Sequence, residues 1–317
     1  MGIRLGIIGT GRIAKRAVTE IREVSDIEIS AVINPNPVHA REFAEENSIK
    51  EAASDIDELS EKLDAVYIAS PHGTHYEYSA NILKKGIHVI CEKPAFFERG
   101  QVAEIMDFAS QKDLVFMEGV KTAYCPGFKQ IENVVTSGKI GNVADVEAAF
   151  TRLTPPGGRE FTDKKYGGSF TEFGTYAMLP ILRFLGTEGF DVSFMHRDDD
   201  GVDVYTKAVF DYGDKFGCAK TGLSVKSEGQ LVIAGTKGYI LVPSPWWLTR
   251  YFEVRYEDPS RIERYECEFN GDGLRYEFAE FVRRINEKIP VPVVEREEAI
   301  ARAGIYERFM VRNINNA

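Results

Sequence analysis

The chain has 317 residues, 44% of them apolar and 28% charged, long enough for two hydrophobic cores and ordinary for a soluble globular protein. With 39 basic against 49 acidic residues the net charge is −10, which lacks the clustered basic footprint of a nucleic-acid binder and offers nothing to an anionic membrane. Cys91, Cys125, Cys218 and Cys267 stand far apart without a C-x-x-C pair, so they read as reduced thiols and neither a disulfide framework nor a metal site is expected.

No run of about 18 apolar residues predicts a transmembrane helix. The opening MGIRLGIIGTGR has too short an apolar part for a signal peptide, and Gly6 stands where a myristoylation pattern needs Ser or Thr. The expectation is a cytoplasmic protein without nucleic-acid or membrane partners.

In chain order, apolar runs at 3–8 (IRLGII), 27–33 (IEISAVI), 65–69 (AVYIA), 87–91 (IHVIC) and 114–117 (LVFM) read as strands. Polar segments of helical spacing separate them, as with Val102, Ile105, Met106 and Ala109. Strands alternating with helices predict an α/β domain built on a doubly wound parallel sheet, over residues 1–120.

GTGRIA at 9–14 fits G-x-G-x-x-G/A between the first strand and the first helix. Gly9 serves the tight turn, Gly11 close backbone approach, and Ala14 helix–strand packing. Gly9, Thr10, Gly11, Arg12 and Ile13 would then hold the pyrophosphate of a dinucleotide at the helix N-terminus. The second strand ends at Asn34, where an acidic residue would favour NAD. Asn neither accepts the ribose as a carboxylate does nor repels a 2′-phosphate, and Arg12 is a possible phosphate partner, so the cofactor is NAD or NADP.

Ligands of such a sheet bind at the carboxyl ends of its strands. The third apolar run ends in Ser70, Pro71, His72 and His75, and the next ends CEKP, giving Glu92 and Lys93. All are cofactor-binding candidates. For His75 a helix-start histidine satisfied by its surroundings is an equal reading. CEKP alone is explained equally well as a strand end, since proline stops a ladder.

Beyond about residue 140 the pattern changes to period two. Val146, Ala148 and Phe150 alternate with Asp145, Glu147 and Ala149, the mark of an antiparallel sheet. Strands are expected near 143–152, 190–196, 203–211, 215–224, 229–235, 238–242, 251–256 and 262–269, with helices at 171–185, 274–287 and 296–313. Residues 121–317 thus read as an α+β domain with a mostly antiparallel open sheet. Within it, GGSFTEFGTY at 167–176 places Glu172 and Tyr176 four apart on one helix face. In PSPWWLTRYF at 243–252, Trp246, Trp247, Tyr251 and Phe252 read as sheet core or as an interface patch.

GTGRIA, the strand-end EKP at 92–94 and GGSFTEFGTY, in this order, resemble the Gfo/Idh/MocA oxidoreductases (glucose–fructose oxidoreductase, inositol dehydrogenase and relatives) over nearly the whole chain. The resemblance implies hydride transfer between NAD(P) and a secondary alcohol or carbonyl of a sugar, cyclitol or diol. It implies that Lys93 lies beside the nicotinamide, that Glu92 contacts the cofactor ribose, and that the Lys93–Pro94 peptide is cis. It also implies a homo-oligomer, dimer or tetramer, formed through the C-terminal sheet. The family's second motif usually reads G-G-G-x-x-x-D-x-G-x-H, so Ser169, Glu172 and Tyr176 depart from it. Tyrosine in the last place is similar to the branch of glucose–fructose oxidoreductase and dimeric dihydrodiol dehydrogenase, whereas Lys121 and Ala123 replace the Trp and Arg of that branch.

Lys93 and Tyr176 are therefore the expected catalytic pair, both hydrogen-bonding the reacting oxygen, with either serving as acid–base. Glu172, Lys121, Arg152 and Lys164 join Tyr176 as substrate-binding candidates. The competing reading is a non-catalytic sensor of dinucleotide or sugar with the same fold.

Overall fold

The computed structural model describes residues 2–60 and 62–315. Its first part runs β1 (Ile3–Ile8), α1 (Arg12–Ile21), β2 (Ile27–Ile33), α2 (Pro37–Glu46), β3 (Glu51–Ala53), β4 (Ala65–Ile68), α3 (His75–Lys84), β5 (His88–Glu92), α4 (Arg99–Gln111) and β6 (Phe116–Gly119). Then come α5 (Pro126–Thr136), β7 (Val143–Thr151), α6 (Arg159–Thr162), α7 (Ser169–Leu185), β8 (Asp191–Asp199), β9 (Val202–Asp211) and β10 (Phe216–Gly222). The chain continues through β11 (Leu231–Gly235), β12 (Tyr239–Val242), β13 (Tyr251–Arg255), β14 (Ile262–Glu266), α8 (Leu274–Glu287) and α9 (Val293–Asn315).

By packing, residues up to Lys121 join Gly271–Ala299 in one unit, and Thr122–Asn270 join the residues from Ile300 onward in a second. The single boundary expected near 120 lies at the edge of the first unit but does not foresee this return of the chain. The stripe Leu274, Phe278, Phe281 and Val282 of α8 is buried, and Phe278 meets the Tyr67 ring of β4 edge-on at 5.1 Å. Arg275 of α8 binds both carboxylate oxygens of Glu20 in α1, at 3.2 and 2.8 Å. An amphipathic stripe announces that a helix packs without saying against which sheet.

In the first unit the described strands form one six-stranded sheet in the order β3-β2-β1-β4-β5-β6, parallel throughout. Every residue of β4 is buried, as a parallel strand covered on both faces must be. Each buried aliphatic side chain contributes about 1.5–3 kcal/mol. α2 begins where Asn36 accepts the Val38 N–H and Pro37 takes the first helical turn, a position that needs no N–H donor. The strand order reverses between β1 and β4, which opens a crevice at their carboxyl ends.

The second unit holds an eight-stranded sheet, β14-β13-β12-β11-β7-β10-β9-β8, antiparallel except for the β7–β10 pair. α7 covers one face so closely that a side chain at Gly217 would come within 2.7 Å of Ile181. Val146, Ala148, Ala208, Ala219, Leu231, Ile233 and Ile240 are buried there. Register puts Met195, Val209, Cys218, Val232 and Leu241 on the opposite face, among Glu147, Lys207 and Lys220. Trp246 is fully buried with its indole N–H on the Ala149 carbonyl at 3.0 Å. Phe252 is also buried and stacks on Tyr265. These two side chains are core, not interface.

Candidate active site

The glycine turn sits between β1 and α1, at the reversal of strand order. Gly9 has φ +109°, and a Cβ there would lie 2.6 Å from the Ala69 carbonyl oxygen, so only glycine lets β1 and β4 approach. Gly11 has an ordinary φ of −77°, and a Cβ on it would meet nothing within 4 Å. The protein's own packing therefore does not require glycine at 11, and the open flank suits a group approaching the backbone from outside. The first turn of α1 contains no acidic residue, and its free N–H groups and positive dipole end favour a phosphate. These residues fit a dinucleotide pyrophosphate, with Arg12 exposed and Ile13 half-buried beside it. Asn34 donates to the Thr10 hydroxyl at 2.8 Å and accepts the Asn36 N–H at 2.9 Å, tying the end of β2 to the glycine turn.

The β4–α3 connection supplies Ser70, Pro71, His72 and His75. Pro71 is exposed, while the Ser70 and Thr74 hydroxyls share a hydrogen bond of 2.7 Å. His75 is fully buried; its Nδ1 lies 3.0 Å from the Pro94 carbonyl and its Nε2 2.9 Å from the Ser70 carbonyl. Both ring nitrogens serve backbone carbonyls, so the cofactor contact expected of His75 is corrected to a structural brace between two strand-end loops. His72 is buried as well, its ring edge-on to His75 and Phe97.

Lys93 is half-buried at the end of β5, and the Lys93–Pro94 peptide is cis, as the resemblance implies. Glu92 faces inward. Its carboxylate accepts the Tyr67 hydroxyl at 2.6 Å and the Lys93 backbone N–H at 3.3 Å. The Ala95 N–H donates to Glu118 of β6 at 3.0 Å, holding the turn after Pro94. Lys121 is also buried and donates to the Asp272 carbonyl at 2.6 Å. One of its ammonium donors is thus engaged within the first unit.

Beside Glu92 lies Glu277 of α8, fully buried. Burial pushes the Glu277 carboxyl well above the usual range, and the neighbouring Glu92 pushes the same way against the pull of Lys121. Burial likewise raises Glu92, opposed by Lys93, Tyr67 and Lys121. Sequence reading missed Tyr67, Glu118 and Glu277. For Glu277 a signal existed, a lone acid within the Leu274–Phe278–Phe281 stripe.

In the second unit, Asp203 of β9 holds the start of α7. It accepts the Phe170 N–H at 2.9 Å and the Ser169 and Thr206 hydroxyls at 2.6 Å each. A Cβ on Gly168, whose φ is +103°, would sit 2.0 Å from the Asp203 carboxylate. This close approach explains the glycine before α7. Burial pushes Asp203 up to about 6, opposed by those three hydrogen bonds.

Tyr176, one turn past Glu172, is 9% exposed with its ring 5.4 Å from Phe150. Phe150 stacks on Phe173 at 4.4 Å and on Trp247 at 3.6 Å. Glu172 pairs with Arg159 at 3.2 Å, and Lys164 pairs with Asp200 at 2.5 Å on the surface. Arg152 is exposed just beyond β7. Lys93 and Lys121 belong to the first unit; Tyr176, Glu172, Arg152 and Lys164 belong to the second.

Residues 3–120 match the family described as "Oxidoreductase family, NAD-binding Rossmann fold", and residues 128–241 match "GFO/IDH/MocA C-terminal domain". The chain belongs to the Gfo/Idh/MocA family. It is an NAD(P)-dependent oxidoreductase of this family. It is 28% identical to the NADP-dependent scyllo-inositol 2-dehydrogenase of Bacillus subtilis, over 90% of this chain and 89% of that one. It is 26% identical to human trans-1,2-dihydrobenzene-1,2-diol dehydrogenase, over 95% and 94% of the two chains.

Two solved structures share the fold. Levoglucosan dehydrogenase in complex with NADH and levoglucosan has a TM-score of 0.84 at 16% identity, over 99% and 98% of the two chains. A 3-ketoreductase of Actinomadura kijaniata with NADP and TDP-benzene has 0.82 at 22%, over 97% and 96%. That ketoreductase is also known as variants with a lysine replaced by alanine and with a tyrosine replaced by phenylalanine.

Proposed function

We propose that this oxidoreductase moves a hydride between nicotinamide and the carbinol or carbonyl carbon of a sugar, cyclitol or diol, with Lys93 and Tyr176 handling the proton of the reacting oxygen. The observation that carries the reading is Lys93 at the carboxyl end of β5, on the same edge of the parallel sheet as the Gly9–Gly11 turn. When bound, the cofactor supplies or accepts the hydride. The chain supplies the rest. Gly9, Thr10, Gly11, Arg12 and Ile13 hold the pyrophosphate, and Asn34 braces their turn. The Lys93 amine and the Tyr176 hydroxyl orient the substrate oxygen and exchange its proton. Glu172, Arg159 and the face of the Phe150–Trp247–Phe173 stack favour a substrate with hydroxyls on an otherwise apolar ring. Inositol, sugar and dihydrodiol substrates in the relatives' names support that class.

The protein is further proposed to act in the cytoplasm as a homo-oligomer joined through the open face of the second sheet. The test of the chemistry is Lys93→Met, assayed by cofactor reduction at alkaline pH against sugars, polyols and dihydrodiols, with NAD and NADP in parallel. Dinucleotide binding should persist while turnover falls by about a hundredfold or more. Near-normal turnover would remove Lys93 from the mechanism.

A further inference from the structure

Glu277 contributes no hydrogen bond to the fold. Neither of its carboxylate oxygens has a hydrogen-bond partner among the described residues, and its side chain is fully buried. A Cβ built on Gly119 would lie 3.6 Å from Glu277 Oε2 and 3.6 Å from the Glu92 Cα. The carboxyl therefore sits against the ends of β5 and β6. Glu92, also buried, already accepts two hydrogen bonds, the arrangement that favours a carboxylate over a carboxylic acid. A second bare carboxylate at this depth would cost several kcal/mol, so the pair is stable with a single proton, carried mainly by Glu277.

The other polar groups around the pair are accounted for. Tyr67 donates from β4, and Glu118 on β6 takes the Ala95 N–H. Cys91 of β5 is a buried thiol raised by that burial. Lys121 balances one negative charge. Elsewhere on α8, Arg275 pairs with Glu20, and Glu280 pairs with Arg283 and Arg284. None of these last reaches Glu277 as a hydrogen-bond donor.

We propose that Glu92 and Glu277 share one proton at the carboxyl edge of the first sheet, and that a dinucleotide carrying the positively charged, oxidised nicotinamide expels it. The inference rests on the reading that Lys93 stands beside the nicotinamide. A cation placed there favours the doubly ionised pair, whereas the neutral reduced ring does not. Binding of the oxidised cofactor then releases a proton before any substrate arrives, and binding of the reduced cofactor does not. The pair thus links proton concentration to the redox state of the cofactor that is held.

Two measurements that need no substrate decide it. At about pH 8 Asp203 is ionised, since it titrates near 6. The infrared spectrum of the cofactor-free protein should then show a protonated carboxylic-acid carbonyl band that Glu277→Gln removes. No such band in the unaltered protein overturns the shared proton, whatever the variants do. Calorimetric titration with NAD and NADP, oxidised and reduced, in two buffers of different ionisation enthalpy counts protons released. A substantial fraction of a proton should leave on binding the oxidised form and none on binding the reduced form. Glu277→Gln should abolish the release, and so should Glu277→Met, an apolar variant that loses no hydrogen bond. Equal release by the unaltered protein and a folded variant overturns the coupling. Lys93→Met separates the two readings: loss of turnover with unchanged proton counts across the Glu277 variants refutes this proposal alone. Retained turnover refutes the reading of Lys93 on which it rests.

Discussion

Asn34 ends β2 at the position proposed to face the cofactor ribose, and its side chain is engaged with Thr10 and Asn36. An aspartate there would repel a 2′-phosphate and accept hydrogen bonds from a ribose hydroxyl. Asn34→Asp should raise the Kd of NADP relative to NAD by about tenfold, equivalent to about 1.4 kcal/mol, in paired fluorescence titrations. An unchanged ratio would show that the ribose lies elsewhere. The places of Gly9, Lys93 and Tyr176 in the fold, a turn, a strand end and a helix, were readable in sequence because each belongs to a motif whose spacing repeats a local geometry. The packing partners of His75 and Glu92 were not readable. Which way a side chain turns at a strand end depends on partners distant in sequence, Pro94 for one and Tyr67 for the other.

The start of α7 illustrates the same limit for an element. Helical spacing located α7 within two residues of its observed start, yet the acceptor that holds its first turn, Asp203, is on β9. No local pattern points to it. The carboxyl of Asp203 titrates near 6 in the folded protein against an ordinary 3.8, so the folded form binds this proton more tightly. Its contribution to stability is thus greatest below about pH 4, falls as pH rises to about 6, and is constant above. Asp203→Asn removes that dependence. Urea unfolding across this range should show the unaltered protein losing on the order of 2–3 kcal/mol relative to the variant as pH rises. A gap that does not change with pH would contradict it. Apart from the three-residue edge strand β3, too short to show a pattern, the strands of both sheets were legible as elements, because buried parallel strands and half-open antiparallel ones have different periods. The parallel β7–β10 pairing was not, since period two says nothing about direction.

For the whole molecule, the open face of the second sheet is the surface through which association of copies is proposed. Val232 and Leu241 are neighbours across β11 and β12 on that face, with Val209 and Cys218 paired on β9 and β10. Val232→Glu sets a second carboxylate beside exposed Glu147 on this mixed face, and light scattering should fall to the mass of one chain while the near-ultraviolet dichroism persists. An oligomer that survives the change would move the interface elsewhere. Composition and motif order gave both fold classes correctly, but the fate of residues 271–299 depended on tertiary packing that no motif encodes.

That late segment has a consequence for how the chain is made. The first unit is discontinuous, with nearly 150 residues of the second unit separating Lys121 from Gly271. A nascent chain that has emerged only as far as β6 lacks Phe278 and Phe281, both fully buried in the finished unit. The cofactor-binding half therefore cannot complete its core until translation has passed the other half. It waits as an open sheet with one uncovered apolar surface, the state in which a newborn protein most needs protection from aggregation.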